Sequence, residues 1–235
     1  GAPSITNVAS TDPTNCGLVD GTITISAQGG VGTLQYSIDG GTTWVQNGGA
    51  FTGLAGGTYN IEVANADLSC VATGQVVTLI DKVTPIISNV TPTDITDCGV
   101  VDGTITITAS GAGTIQYSID NGTSWQQSGT YTGLSAGTYG IRIRNIDGSC
   151  VVSTANVVID APTQPIINSV ASVDPANCGV ADGSIIVDAT GTNLEYSIDG
   201  GLNWQGTNTF SNLGSGTYNV VVRNTGGTCE VLSTD

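Results

Sequence analysis

One nine-residue stretch occurs three times in the chain. It reads Tyr36-Ser37-Ile38-Asp39-Gly40-Gly41-Thr42-Thr43-Trp44, then Tyr117-Ser118-Ile119-Asp120-Asn121-Gly122-Thr123-Ser124-Trp125, then Tyr196-Ser197-Ile198-Asp199-Gly200-Gly201-Leu202-Asn203-Trp204. Tyr and Trp stand eight apart each time, so the spacing tolerates no insertion. Tyr-Ser-Ile alternates as a strand does, and Asp-Gly or Asp-Asn-Gly is hairpin chemistry because Gly and Asn accept positive φ. A tight turn between two extended segments is therefore the most rigidly specified object in the sequence.

The turn belongs to a longer repeat. Cys-Gly-x-x-Asp-Gly starts at Cys16, Cys98 and Cys178, spaced by 82 and 80 residues. Gly-Thr-Tyr follows, with Leu54…Tyr59, Leu134…Tyr139 and Leu213…Tyr218, and a second cysteine comes eleven residues after each Tyr, at Cys70, Cys150 and Cys229. The expected repeats are 1–83, 84–163 and 164–235. They are joined by short Pro-containing linkers at Asp81–Pro85 and Asp160–Pro165, which read as semi-rigid. The third repeat is expected to lack its last strand. That missing strand makes the chain read as a window cut from a longer array, and no signal peptide is expected because Gly1 starts inside a repeat.

Within the first repeat seven strands are expected. They are Ser4–Val8, Thr22–Ile25, Leu34–Ile38, a strand around Trp44, Ala50–Thr52, the Tyr59-Ile61-Val63 alternation, and Val71–Ile80 with a bulge near Gly74. The fold class is all-β: three tandem immunoglobulin- or fibronectin-III-like sandwiches in a rod. Leu54…Tyr59 fits a tyrosine corner, in which the hydroxyl bonds back to upstream backbone. A domain of this size buries only roughly 60–65% of its unfolded surface, so extra staples are expected.

Composition narrows the function. The net charge is −15, with four Lys and Arg against 19 Asp and Glu, which argues against nucleic acid and anionic lipid. The chain holds no His, the commonest general base and metal ligand. No apolar run approaches the roughly 18 residues of a membrane helix.

Taken together, Cys-Gly-x-x-Asp-Gly-Thr-Ile, Tyr-Ser-Ile-Asp-Gly-Gly-x-x-Trp, Gly-Thr-Tyr and the late Cys resemble the tandem SprB-type repeats of Bacteroidota surface proteins. The resemblance covers all three repeats. It implies a stalk segment of a giant secreted adhesin, of a class exported by the type IX system and including gliding-motility adhesins. The hairpin also resembles the Asp-box, Ser-x-Asp-x-Gly-x-Thr-Trp, at Ser37, Asp39, Gly41, Thr43 and Trp44. Repeat two has Ser124 in place of Thr, and repeat three Asn203. That motif stabilises turns in unrelated folds and does not imply a glycosidase.

Each candidate site has a structural alternative. Glycoside hydrolysis needs two carboxylates about 5–10 Å apart, and Asp39 with Asp20 is the available pair. Three identical copies along a stalk favour Asp39, Asp120 and Asp199 as turn acceptors instead. Arg142, Arg144 and Arg223 are read as non-repeating, so no sialidase-like arginine cluster is expected. Calcium wants six to eight oxygens. Asp12, Asp20, Asp81, Asp94, Asp97, Asp102, Asp174 and Asp182 lie near expected loops, with Asp20, Asp102 and Asp182 as weak candidates; each of these three precedes Gly, which is turn chemistry first. Trp44, Trp125 and Trp204 are candidates for stacking on glycan, or for packing within the turn. Asn89-Val90-Thr91 and Asn121-Gly122-Thr123 match an N-glycosylation pattern but read as chance. No Cys-x-x-Cys occurs, so zinc and redox catalysis are not expected.

The six cysteines Cys16, Cys70, Cys98, Cys150, Cys178 and Cys229 read as structural disulfides of a secreted protein. Their pairing stays open. Cys16–Cys70, Cys98–Cys150 and Cys178–Cys229 would lock single repeats. Seven strands would instead put the early and late cysteines at opposite ends, about 17–20 Å apart, where a bond needs Cα atoms within roughly 7 Å. Cys16–Cys150 and Cys98–Cys229 would then tie neighbours, leaving Cys70 and Cys178 to repeats outside this window. Six strands would restore the bonds within repeats.

The resulting expectation is a non-catalytic stalk of an extracellular, cell-surface adhesin or filament with no cofactor. Its expected partners are neighbouring repeats, with surface polysaccharide or other cells as further candidates. The alternative is a repeat module that itself binds glycan or calcium, and a third reading is an accessory fragment of a glycoside hydrolase.

Overall fold

The computed structural model describes residues 1–234, so Asp235, the last residue of the third expected repeat, lies outside it. Among the described residues the regular structure is entirely β. Repeat one contributes β1 (Pro3–Thr11), β2 (Gly21–Gly29), β3 (Gln35–Ser37), β4 (Ala50–Leu54), β5 (Gly57–Ala64) and β6 (Ala72–Leu79). Repeat two contributes β7 (Ile86–Thr93), β8 (Gly103–Ser110), β9 (Ile115–Ser118), β10 (Thr130–Leu134), β11 (Gly137–Tyr139), β12 (Arg142–Asn145), β13 (Val152–Ser153) and β14 (Val157–Ile159). Repeat three contributes β15 (Ile166–Val173), β16 (Gly183–Thr190), β17 (Leu194–Ser197), β18 (Thr209–Leu213), β19 (Val221–Asn224) and β20 (Thr228–Leu232).

In repeat one the sheets run β1-β2-β4 and β3-β5-β6, all antiparallel. That division of strands is the one found in immunoglobulin and fibronectin III sandwiches. The alternation of β2 drives it: Ile23 and Ile25 turn inward while Thr24 stays exposed. They meet Ile61 and Val63 of β5 and Val77 and Leu79 of β6 in one core that also holds Tyr36. Repeat three has sheets β15-β16-β18 and β17-β19-β20 around Ile185, Val187, Tyr196, Val220 and Val222. Repeat two keeps β7-β8-β10, but its other sheet is broken into β9-β12-β13 and β11-β14.

The chain forms two compact units. One comprises Gly1–Asn89, Thr108–Gly129 and Gly140–Ala155; the other comprises Val90–Ile107, Thr130–Tyr139 and the chain from Asn156 onward. Two of the divisions, after Tyr139 and after Ala155, fall at the breaks in the second sheet of repeat two.

One expected strand is absent. The segment around Trp44 makes only a single antiparallel bridge, Tyr36 to Val45, repeated as Tyr117 to Gln126 and Tyr196 to Gln205. Asp39 to Gly41 turns the chain so tightly that too few residues remain opposite the short β3 for a ladder. The expected bulge does occur: the β5–β6 register shifts between Asn60 and Glu62, opposite Gly74.

Candidate functional site

The turn is held from within. Ser37, fully buried, donates its hydroxyl to Asp39 Oδ1 at 2.8 Å and accepts the Gly41 N–H at 2.9 Å. Asp39 Oδ1 accepts the Thr43 N–H at 2.8 Å. Repeat two reproduces the set through Ser118, Gly122 and Ser124 around Asp120, and repeat three through Ser197, Gly201 and Asn203 around Asp199. Thr43, Ser124 and Asn203 are thus interchangeable as amide donors.

These bonds favour the carboxylate form. The Thr43 backbone amide, with the Ser37 and Thr43 hydroxyls, lowers Asp39 to about 2. Burial works against the shift at Asp120, but the Ser124 hydroxyl and amide and the Ser118 hydroxyl outweigh it and lower the group to about 2. The Asn203 amide, the Asn203 side chain and the Ser197 hydroxyl lower Asp199 to about 2. An acid catalyst needs the opposite shift, so these groups are suited to accepting bonds rather than donating protons.

The indole rings are half-buried and lie over the turn. A Cβ on Gly41, Gly122 or Gly201 would approach the Trp Cζ2 to 3.2, 3.0 and 3.3 Å, and each has positive φ, so glycine is required twice over. Trp125 Nε1 donates to Gly122 O at 2.9 Å and Trp204 Nε1 to Gly201 O at 2.8 Å. Two of the arginines read as non-repeating turn out to be equivalent. Arg144 lies 4.1 Å over the Trp125 ring and Arg223 3.8 Å over that of Trp204. They pair across the strands with Gln116 and Glu195, where repeat one pairs Gln35 with Ala64. The signal was present, because each Arg follows its Gly-Thr-Tyr tyrosine by five residues.

The calcium candidates also serve turns. Asp20 accepts the Thr14 N–H at 2.8 Å together with the Thr14 hydroxyl. Asp102 does the same for Thr96, and Asp182 accepts the Ala176 N–H at 2.9 Å. The Thr14 hydroxyl and amide hold Asp20 below the usual carboxylate range, and those of Thr96 act likewise on Asp102. The tyrosine corners are present: Tyr59, Tyr139 and Tyr218 donate to Ala55 O, Ser135 O and Gly214 O at 2.8, 2.8 and 2.9 Å.

The cysteines form two bonds, both between repeats. Cys16 pairs with Cys150 at a Cα separation of 5.2 Å, and Cys98 with Cys229 at 4.9 Å. Repeats one and three have six regular strands each, a count expected to restore bonds within repeats. It does not, because the Trp44 segment still carries the chain back across the sandwich without being a strand. The early cysteine consequently lies at the Ile80–Lys82 end, where Cys16 Sγ is 3.2 Å from Lys82 O. The late cysteine lies at the opposite end, where the Ala66 N–H donates to Val31 O. Cys70 and Cys178, both expected in disulfides, are free and exposed. The rule followed by the two bonds, early cysteine to the late cysteine of the next repeat, gives neither a partner in this chain.

Each bond sits in a set of polar contacts that sequence reasoning missed. Asn15 Oδ1 accepts the N–H of Cys16 at 2.9 Å and of Cys150 at 2.6 Å. Asp97 Oδ1 accepts those of Cys98 at 2.7 Å and Cys229 at 2.6 Å. Asn145 Nδ2 donates to the linker carbonyl of Val83 at 3.1 Å, and Asn224 Nδ2 to that of Thr163 at 3.0 Å. All three late cysteines, including free Cys70, take positive φ between 53° and 57°, an uncommon conformation outside Gly and Asn. The ligand atoms of Asp97, Cys98 and Cys229 lie within 4.8 Å of one another. Both sulfurs are bonded to each other, so this set is not free to hold a metal.

No protein-family model matches the chain, and no curated protein matches it in sequence. Among solved structures it is similar to the N-terminal eight immunoglobulin domains of Down Syndrome Cell Adhesion Molecule, at 14% identity over 99% of this chain and 36% of that one, TM-score 0.45. It is also similar to the C-terminal 282-residue fragment of intimin, solved with the intimin-binding domain of its translocated receptor, at 18% identity over 70% and 67%, TM-score 0.38. A third similarity is to domains 4 and 5 of the S-layer protein SbsC, at 14% identity over 67% and 98%, TM-score 0.28.

Proposed function

We propose that this chain is a non-catalytic structural segment of a secreted cell-surface adhesin or filament, built for reach and resistance to unfolding. The observation that carries the reading is the pair of disulfides, each fastening one repeat to the next. Disulfides persist in oxidising compartments, which supports an extracellular location. The side chains most open to a catalytic or glycan-binding reading, Asp39 and Trp44 with their counterparts, are spent on the turn. The resemblance to SprB-type repeats supports a stalk role in adhesion or gliding. Cys70 and Cys178 then carry the same bond to flanking repeats, in the conformation that Cys150 and Cys229 adopt.

The competing reading makes the repeats themselves a glycan- or calcium-binding module. Applying the isolated chain to a polysaccharide array, and melting it with and without calcium, separates the two. The structural reading predicts no saturable glycan signal and an unchanged melting temperature. A selective glycan signal, or a calcium-dependent rise in melting temperature, replaces it with the binding reading.

A further inference from the structure

The outer face of the second sheet carries opposite charge in repeats one and two. Glu62, Arg142 and Val221 each follow the Gly-Thr-Tyr tyrosine by three residues. They pair across the strands with Ser37, Ser118 and Ser197, so they hold one position on one face. Each charged side chain reaches over its turn. Glu62 Oε2 comes to 2.6 Å of the Cβ position of Gly41, and Arg142 Nη1 to 3.7 Å of that of Gly122. The two faces therefore share a backbone frame and a half-buried indole, Trp44 or Trp125, and differ in sign.

Neither charge is answered inside the chain. Among the described residues Glu62, Arg142 and Arg144 form no ion pair, and Arg142 Nε is buried without a hydrogen-bond partner. Repeat three neutralises its arginine: Glu195 lies 2.9 Å and Glu230 3.4 Å from Arg223. In repeat two those acids are replaced by Gln116 and Val151. Arg144, stacked on Trp125 and bonded through Nε to Gln116 Oε1 at 2.8 Å, is thus held in place without a counter-charge. Two of the four Lys and Arg residues stand unpaired on one face of a chain whose net charge is −15. An unpaired donor out of water costs free energy that an opposite charge offsets. An exposed apolar side chain adjoins each charged patch. Val151 and its counterpart Val71, one residue before the strand partners of Ile143 and Val63, are 50% and 46% exposed.

We infer that these two faces dock on each other between copies of this chain, the Arg142 and Arg144 face of one copy seating Glu62 of a second. The carboxylate meets the two guanidinium groups, and Val71 and Val151 pack beside them. Each copy carries both faces, so each can give and receive the contact. The net charge opposes association only over long range, because at physiological salt screening acts beyond about 8 Å and leaves the short-range pairs. Association is therefore strongest near physiological salt. It weakens at low salt, where repulsion reaches further, and at about 1 M salt, where the pairs themselves are screened. The inference does not depend on the structural reading, since a binding module could self-associate in the same way.

The test is sedimentation velocity of the intact oxidised chain, with Cys70 and Cys178 alkylated so that covalent dimers do not form. Reversible, concentration-dependent association is expected at about 0.15 M salt. Glu62→Gln and Arg142→Gln remove charge at similar size, and each is expected to weaken association at least about tenfold. A chain with Glu62→Arg, and another with Arg142→Glu and Arg144→Glu, are each expected to stay monomeric alone and to associate when mixed. If a charge-reversed chain does not fold, the two Gln variants decide. A parent chain that stays monomeric up to about 1 mM, Gln variants that associate like the parent, or a mixture that stays monomeric while both variants melt like the parent would overturn the inference. So would an effect of the arginine substitutions without one at Glu62, because the acidic partner would then lie elsewhere.

Discussion

The two junctions between repeats share one plan but differ in charge. Both have a disulfide, a side-chain oxygen that receives two cysteine amides, and an asparagine amide on a linker carbonyl. Among the described residues only the first adds an ion pair, Lys82 Nζ to Asp147 Oδ2 at 2.8 Å. At the second junction Pro162 stands for Lys82 and Gly226 for Asp147, so both partners are replaced together. The acceptor also changes, from neutral Asn15 to Asp97. The difference separates what a junction needs from what it tolerates. The disulfide, the shared acceptor and the asparagine are common to both; the ion pair is an addition, and a partly exposed one.

Removing the covalent part should have the largest effect, and it should be equal at the two junctions. The closed loops span 134 and 131 residues, so the chain-entropy contribution is the same, about 2–5 kcal/mol each. Thermal unfolding of Cys16→Ser/Cys150→Ser beside Cys98→Ser/Cys229→Ser checks this. Clearly unequal losses would mean that the non-covalent sets, not the bonds, dominate.

The acceptors come next. Asp97→Ala and Asn15→Ala each strand two cysteine amides, one of them on nearly buried Cys229 or Cys150, at about 1–3 kcal/mol. Asp97→Ala is expected to cost more, because bonds to a charged acceptor are stronger. Denaturant melts of the two variants, with Asp97→Asn converting one chemistry into the other, would break the comparison if Asn15→Ala proved the costlier.

Acid should act on the turns and on the first junction. Asp39, Asp120 and Asp199 have folded values near 2, below the ordinary value of about 3.9. Their stabilisation is therefore complete above about pH 4 and is lost as pH falls toward 2. Asp147, lowered by Lys82 and by Ser149, follows the same sign. A melting temperature that stays flat from pH 5 to pH 2 would contradict the turn geometry. The smallest effect is expected from Lys82→Ala. An exposed ion pair contributes little and is screened by salt, so the variant should differ from the parent only at low ionic strength. A large loss in high salt would make the first junction dependent on its ion pair.

Much of this was legible in the sequence, because Cys, Gly, Tyr and Trp mark themselves by spacing. The β2 alternation, the tyrosine corners and the Ser-Asp-Gly turn are local, so a few residues determine them. The Trp44 segment was misread because its apolar residues suit a strand, while the tight turn before it leaves room for one bridge only. The cysteine pairing hung on that count, since it depends on how often the chain crosses the sandwich, not on how many crossings are regular strands. Asn15, Asn145 and Asn224 were invisible, because each acts on a backbone group far away in sequence. Arg144 and Arg223 were missed because repeat one carries Ala64 at that position, which hides the pattern.

The two disulfide loops interleave: Cys98 lies inside the loop closed by Cys16 and Cys150, and Cys150 inside the loop closed by Cys98 and Cys229. Under tension this limits extension as well as stability. A chain pulled from its ends passes the force from residue 16 to 150, back along 98–150, and out at 229. Even with every strand melted, its contour through the bonds is on the order of 250 Å, against roughly 800 Å for the reduced chain at about 3.5 Å per residue. Redox state, rather than folding alone, therefore sets how far the segment can be drawn out.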